Sequence, residues 1–180
     1  MKRITLFILL LFSSYVIGYS QVSLSKIAID AGWSASYPGA GLKLGTTYFV
    51  SDNVEIYTNL NVVNLRSTGL SVSNQYSLKF GSRFLFAQTE RISILTGLEV
   101  GYYLTNVDRA TFGNALFRTS DTDQGLNIVI PLLIRYSISS RFSLEAELGI
   151  GLYNSLIDNG YFILPTSGLG LKYRLGNGAE

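Results

Sequence analysis

Glu145 and Glu147 form the first arrangement in this 180-residue sequence that could do chemistry. Two residues apart on an extended chain, their carboxylates project from one side, as an acid/base pair would require. The same spacing also suits a salt-bridge network with Lys43, Lys79, Arg83, Arg135, Lys172 and Arg174, joined by Glu55 and Glu99. Charges withdrawn from water need partners, and the network is the expected reading. The chain has no histidine, so Ser–His and His–Asp arrangements cannot be built. Cysteine is absent too, which removes the disulfides that many small exported domains rely on. Asp121-Thr122-Asp123-Gln124-Gly125 has the alternating acids of a calcium loop but not the remaining ligand spacing, and is read as solvated loop. The expectation is no catalytic residue, no metal, no cofactor and no enzyme.

What must position these charges is a set of strands. Beyond residue 20 the dominant hydrophobic period is two. Eight strands are expected at about Lys26–Ser34, Ala40–Val50, Val54–Asn64, Gln75–Phe86, Ile92–Tyr103, Gly125–Ile138, Phe142–Tyr153 and Pro165–Leu175. Several exceed the five or six residues of an ordinary strand and reach the 9–11 of a tilted membrane strand. One parity is apolar throughout, for example Ile92, Ile94, Thr96, Leu98, Val100 and Tyr102. The other carries every strand charge: Lys26, Asp30, Lys43, Glu55, Lys79, Arg83, Glu99, Arg135, Glu145, Glu147, Lys172 and Arg174.

Alternation alone does not say which face is inside. A soluble ligand-binding barrel of the lipocalin kind would turn the apolar rows inward, and a membrane barrel would turn them outward. Glycine favours the second arrangement. Gly32, Gly41, Gly45, Gly81, Gly97, Gly101, Gly149, Gly151, Gly168 and Gly170 all fall in the charged rows. A solvent face should avoid glycine, whereas a narrow eight-strand lumen has room for only modest side chains. Aromatic residues cluster near strand ends in the apolar rows: Trp33, Tyr48, Tyr76, Phe84, Phe86, Tyr102, Tyr136, Phe142 and Tyr173. Such amphipathic rings suit bilayer interfaces. The expected fold is all-β: a closed eight-stranded antiparallel up-and-down transmembrane β-barrel, closure being needed because lipid cannot satisfy a free strand edge.

The N-terminus is expected to be a cleaved leader. Lys2 and Arg3 precede the apolar stretch Ile4 to Ile17, and small residues at Gly18 and Ser20 mark a cut before Gln21, the pattern of a secretory signal. Residues 21–180 then form the barrel domain, with no second domain expected. Without Lys2 and Arg3 the chain holds twelve basic and twelve acidic residues. No basic stripe remains to displace phosphate counterions, which argues against nucleic acid as a partner.

Connections are expected to alternate in length. Ser51-Asp52-Asn53, Ala87 to Arg91 and Ser139 to Arg141 read as tight turns, and Ser34 to Gly39, Arg66 to Asn74, Leu104 to Gln124 and Asn154 to Leu164 as longer loops. Short turns belong on the periplasmic side of such barrels and long loops outside. The loop 104–124 is therefore the expected contact with an extracellular ligand. Pro131 lacks a ladder donor within a strand, and a bulge is expected there.

Two stretches carry a family resemblance: Gly41-Leu42-Lys43-Leu44-Gly45-Thr46-Thr47-Tyr48-Phe49-Val50-Ser51-Asp52-Asn53 and Gly168-Leu169-Gly170-Leu171-Lys172-Tyr173. With the alternation over residues 22–175, the chain resembles the small eight-stranded outer-membrane barrels, namely the OmpA barrel, OmpX and the barrel-domain proteins of Bacteroidetes-type bacteria. The resemblance implies outer-membrane residence, lipid and the barrel-assembly machinery as partners, and a monomer. The expected role is structural or surface-interaction, with the lumen closed by the salt-bridge network of its charged rows. A narrow passive pore and a soluble ligand-binding barrel are the alternatives.

Overall fold

The computed structural model describes residues 24–36, 39–66, 72–110, 118–155 and 160–176. The expected leader, residues 1–20, lies outside them. After one 3₁₀ turn, Leu24–Lys26, the chain runs through eight strands: β1 (Ile27–Ser36), β2 (Gly39–Ser51), β3 (Val54–Arg66), β4 (Val72–Gln88), β5 (Ile92–Ala110), β6 (Arg118–Ser137), β7 (Phe142–Ser155) and β8 (Tyr161–Arg174). Each pairs antiparallel with the next, and β1 pairs with β8 to close the barrel. Closure leaves no sheet edge along the shared height of the strands.

Three sequence expectations are corrected. The segment 104–124 is mostly strand: β5 continues to Ala110, β6 begins at Arg118, and their ladder runs unbroken from Leu104 opposite Gln124 to Ala110 opposite Arg118. Only residues 111–117 lie between them, outside the described residues. Asp121 and Asp123 therefore sit on extended backbone opposite Val107 and Thr105, not on a loop able to wrap a cation. The sequence hides this because polar strand above an apolar band loses the hydrophobic alternation that marks a strand. Similarly, β3, β4, β7 and β8 extend past their expected outer ends.

Pro131 makes no bulge. Its strand pairs with β7 in unbroken register, Pro131 opposite Gly149. Toward β5 the register is also constant, but paired residues run from Thr96–Leu132 to Glu99–Val129 with a gap between. The missing donor is accommodated by this local interruption, and the Thr96 hydroxyl donates to the Pro131 carbonyl at 3.0 Å. Register shifts occur elsewhere, at Phe49/Ser51 and Leu85/Ala87, both beside tight turns. Lys26, expected in the first strand, sits exposed in the 3₁₀ turn.

The two parities separate as the alternation requires. Leu42, Ile56, Leu98, Ile130, Ile150 and Leu169 face outward and are exposed, while Glu55, Glu99, Asn127 and Val129 are fully enclosed. The inward glycines make space for neighbours. Across the ladder, Gly97 faces Arg83, Gly81 faces Glu99, Gly101 faces Lys79, Gly168 faces Glu147 and Gly170 faces Glu145. Every long ionised side chain in these pairs thus lies opposite a residue with none, which lets a narrow bore hold them.

Gly81 shows how tight this is. A Cβ there would lie 2.5 Å from the Tyr57 ring, far inside contact distance. Gly81→Ala is expected to destabilise the barrel by about 1–3 kcal/mol, the usual cost of overpacking. Gly170→Ala, whose Cβ would meet its nearest atom at 3.2 Å, should cost less. Urea unfolding midpoints in lipid vesicles compare the two.

Candidate functional site

The inner rows of all eight strands converge on a layer of ion pairs across the bore. Some pairs are direct cross-strand neighbours: Glu55 of β3 opposite Arg83 of β4, Arg135 of β6 opposite Glu145 of β7, and Asp30 of β1 opposite Lys172 of β8. Others span the lumen. Arg135 joins Glu55 and Glu145, both at 2.7 Å. Lys172 lies 3.0 Å from Glu145 and 3.5 Å from Glu55. Arg83 reaches Glu147 at 2.6 Å and Glu55 at 3.4 Å. Lys43 meets Glu147 at 3.5 Å, and Lys79 meets Glu99 at 2.8 Å.

The groups involved are five carboxylates (Asp30, Glu55, Glu99, Glu145, Glu147) and five cations (Lys43, Lys79, Arg83, Arg135, Lys172). The set is neutral, and the most exposed side chain in it is only 13% accessible. Neutral closed networks are the form in which buried ions are tolerated, since each charge recovers part of its lost hydration from the others. Glu145 and Glu147, candidates for acid/base chemistry, are both consumed here. Arg174 is not joined to the network by an ion pair among the described residues. Its guanidinium lies 4.1 Å over the Phe49 ring.

Three contributors stand outside the expected network, although Asp30 already belongs to the charged rows. Asp30 lies 3.4 Å from Lys172 and accepts from the Thr47 hydroxyl at 2.6 Å. Tyr57 donates to Glu99 at 3.2 Å and lies under the Arg83 guanidinium, 3.7 Å from the ring centre. Phe49 carries Arg174. All three share the parity of the charged rows, so their inward direction was available from the sequence. Their partners were not, because those depend on inter-strand register.

Arg83 occupies a septum between two spaces. A cavity of about 600 Å³ opens at the end carrying the tight turns, and Glu55, Arg135 and Lys172 line it. On the other side a space of about 20 Å³ is lined by Lys43, Lys79, Glu99 and Glu147, room for roughly one water. Arg83, Tyr57 and Glu145 line neither. Further out, the Tyr103 and Tyr153 rings pack 5.8 Å apart across the bore, and Tyr103 donates to the Asn154 carbonyl.

Outside the wall, the aromatic residues occur in two groups. Tyr48, Phe84, Phe86, Tyr136, Phe142 and Tyr173 lie toward the tight turns, with Phe142 and Tyr173 in ring contact at 4.7 Å. Trp33, Tyr76 and Tyr102 lie toward the opposite end. Above Tyr76 and Leu104 the outer surface changes character. Asn64, Asn74, Asn106 and Thr122 are successive cross-strand neighbours there. Asn64 donates to Asn74 at 3.1 Å and Thr122 to Asn106 at 3.3 Å. This outward polar ladder ends the apolar belt on β3–β6.

A closed antiparallel eight-strand barrel, greasy outside and ion-paired inside, defines the class: the fold is that of small eight-stranded outer-membrane barrels. Solved structures share it. A major outer membrane protein from Thermus thermophilus superposes with a TM-score of 0.63 at 11% identity, over 83% of this chain and 98% of that one. Neisserial surface protein A gives 0.60 at 11%, over 82% and 94%. Ail, the attachment invasion locus protein of Yersinia pestis, gives 0.55 at 16%, over 82% and 96%. No family model and no curated protein matches the sequence.

Removing Arg83 leaves Glu147, among the described residues, with Lys43 at 3.5 Å as its ion-pair partner. Arg83→Met is expected to cost about 3–5 kcal/mol, the usual penalty for orphaning a buried charge. Adding Glu147→Gln should recover part of that loss, because removal of both partners is cheaper than removal of one. A double-mutant cycle of unfolding free energies in vesicles checks both values.

Proposed function

We propose that this chain is an integral outer-membrane barrel with a structural or surface-interaction role and a lumen sealed by its ion-paired septum. The observation carrying the proposal is the inverted polarity of the wall. Between the tight turns and the asparagine ladder, no outward position among the described residues is charged, while ten ionised groups are enclosed. A water-soluble protein cannot sustain an apolar surface all round. A bilayer requires one. From Ile92 to Leu104, at about 3.3 Å per residue and about 40° tilt, the outward row of β5 climbs roughly 30 Å, the thickness of a hydrocarbon core.

In this reading the aromatic groups sit at the two interfaces. The tight turns and both ends of the described chain face the periplasm. The outer parts of β3–β6 stand above the lipid and offer the contact surface. The attachment function for which Ail is named is consistent with such a surface. Export by the leader, assembly by the barrel-insertion machinery and a monomeric state belong to the same proposal. A catalytic role has no support, since the carboxylates that could act are bound to cations.

A nitroxide at Leu98, which is 50% exposed on the wall, should be relaxed by oxygen and shielded from a water-soluble relaxant. One at Arg91, in a tight turn, should behave oppositely. Water exposure at Leu98 would overturn the membrane reading. A narrow pore is tested separately: wild-type protein in planar bilayers should show no steady conductance, and Arg83→Ala should show small, frequent openings. A large, stable wild-type channel would refute the sealed lumen.

A further inference from the structure

The cavity at the turn end is lined by five cations, Arg91, Arg135, Arg141, Lys172 and Arg174, against three carboxylates, Asp52, Glu55 and Glu90. Its floor is the ion-pair layer, where Arg135 and Lys172 face it. On the wall, Arg174 stacks on Phe49, half-buried, with no carboxylate within ion-pair distance among the described residues. Ser93, Ser137 and Ser143 complete the wall from three other strands. Register places Ser93 opposite Arg135, Ser137 opposite Ser143 and Ser143 opposite Lys172. Hydroxyl donors thus alternate with cations around half the circumference.

The charge balance sharpens this. The septum is neutral by itself, five against five, so Arg174 is surplus to it. Arg174 lies near enough to Arg135 for their charges to repel, more strongly than Asp52 and Glu55, at longer range than an ion pair, attract it. A guanidinium held over an aromatic ring keeps its N–H donors at its edge, where a fork can bind an oxyanion through parallel hydrogen bonds.

We propose that this vestibule is a binding site for a small soluble oxyanion of the phosphate class, seated between Arg174, Arg135 and the seryl hydroxyls. Donors from several walls suit a tetrahedral anion better than a flat carboxylate. A lipid headgroup is excluded as the occupant by position: its acyl chains would lie outside the wall, and the site lies inside it. The proposal concerns the turn end alone and does not depend on the septum being impermeable.

The test uses the full chain folded in maltoside micelles, a detergent without phosphate. Inorganic phosphate is titrated at constant ionic strength against sodium chloride, and its ³¹P line width is read. Saturable broadening is expected, weakened about tenfold in Arg174→Gln, the worth of one charge-assisted hydrogen bond. Arg174→Lys, which keeps the charge and loses the fork, should fall between. Should Arg174→Gln fail to fold, Ser137→Ala removes one donor and no charge, and must also weaken binding. Broadening that chloride abolishes at equal ionic strength would mean screening only and overturn the site. Affinity unchanged in both variants would overturn it as well.

Discussion

The structure depends on the pairing of ionised side chains in a bore too narrow to hydrate them. Arg83 stands at the centre of that constraint, held by Glu147 and Glu55 and lying over Tyr57. Its position is permitted by Gly97, directly opposite on β5, where a Cβ would collide with the β4 backbone. The same logic recurs around the lumen, with a glycine facing each of several long ionic side chains. Glycine costs strand stability, and here the cost is offset by room for ion pairs that would otherwise be unable to form.

Inverted polarity and closure are two consequences of one requirement. If lipid surrounds the wall, a backbone donor without a partner has no water to turn to, so the sheet must close through β1 and β8. Closure in turn creates an interior from which water is largely displaced, and any charge there must be neutralised by another. The tolerance for Pro131 fits this frame. Its missing donor interrupts the ladder locally while the register holds, and the Thr96 hydroxyl serves the proline carbonyl.

Much of the fold was legible in the sequence because parity is a local property. That Glu99 and Leu98 lie on opposite sides follows from their neighbours at two-residue spacing, and the glycines of the charged rows point to which side is inside. The outer strand extensions were not legible, because beyond Leu104 and Leu126 the outward positions Asn106, Thr122 and Gln124 are polar and the hydrophobic alternation ends. Asn64, Asn74 and Asn106 are the residues where that change happens. They form one ladder only because three separate strands bring them to a common level.

The sequence by itself determined which residues point in and which point out, the number of strands and the absence of histidine-based chemistry. The tertiary structure decided who pairs with whom. Lys172 meets Glu55 across 117 positions of chain, and Arg135 meets Glu55 across 80. Such partners are set by register accumulated around a closed ring and by the depth each side chain reaches into the bore. No local pattern encodes them, because the energy that selects them exists only once the ring has shut and the charges can no longer reach water.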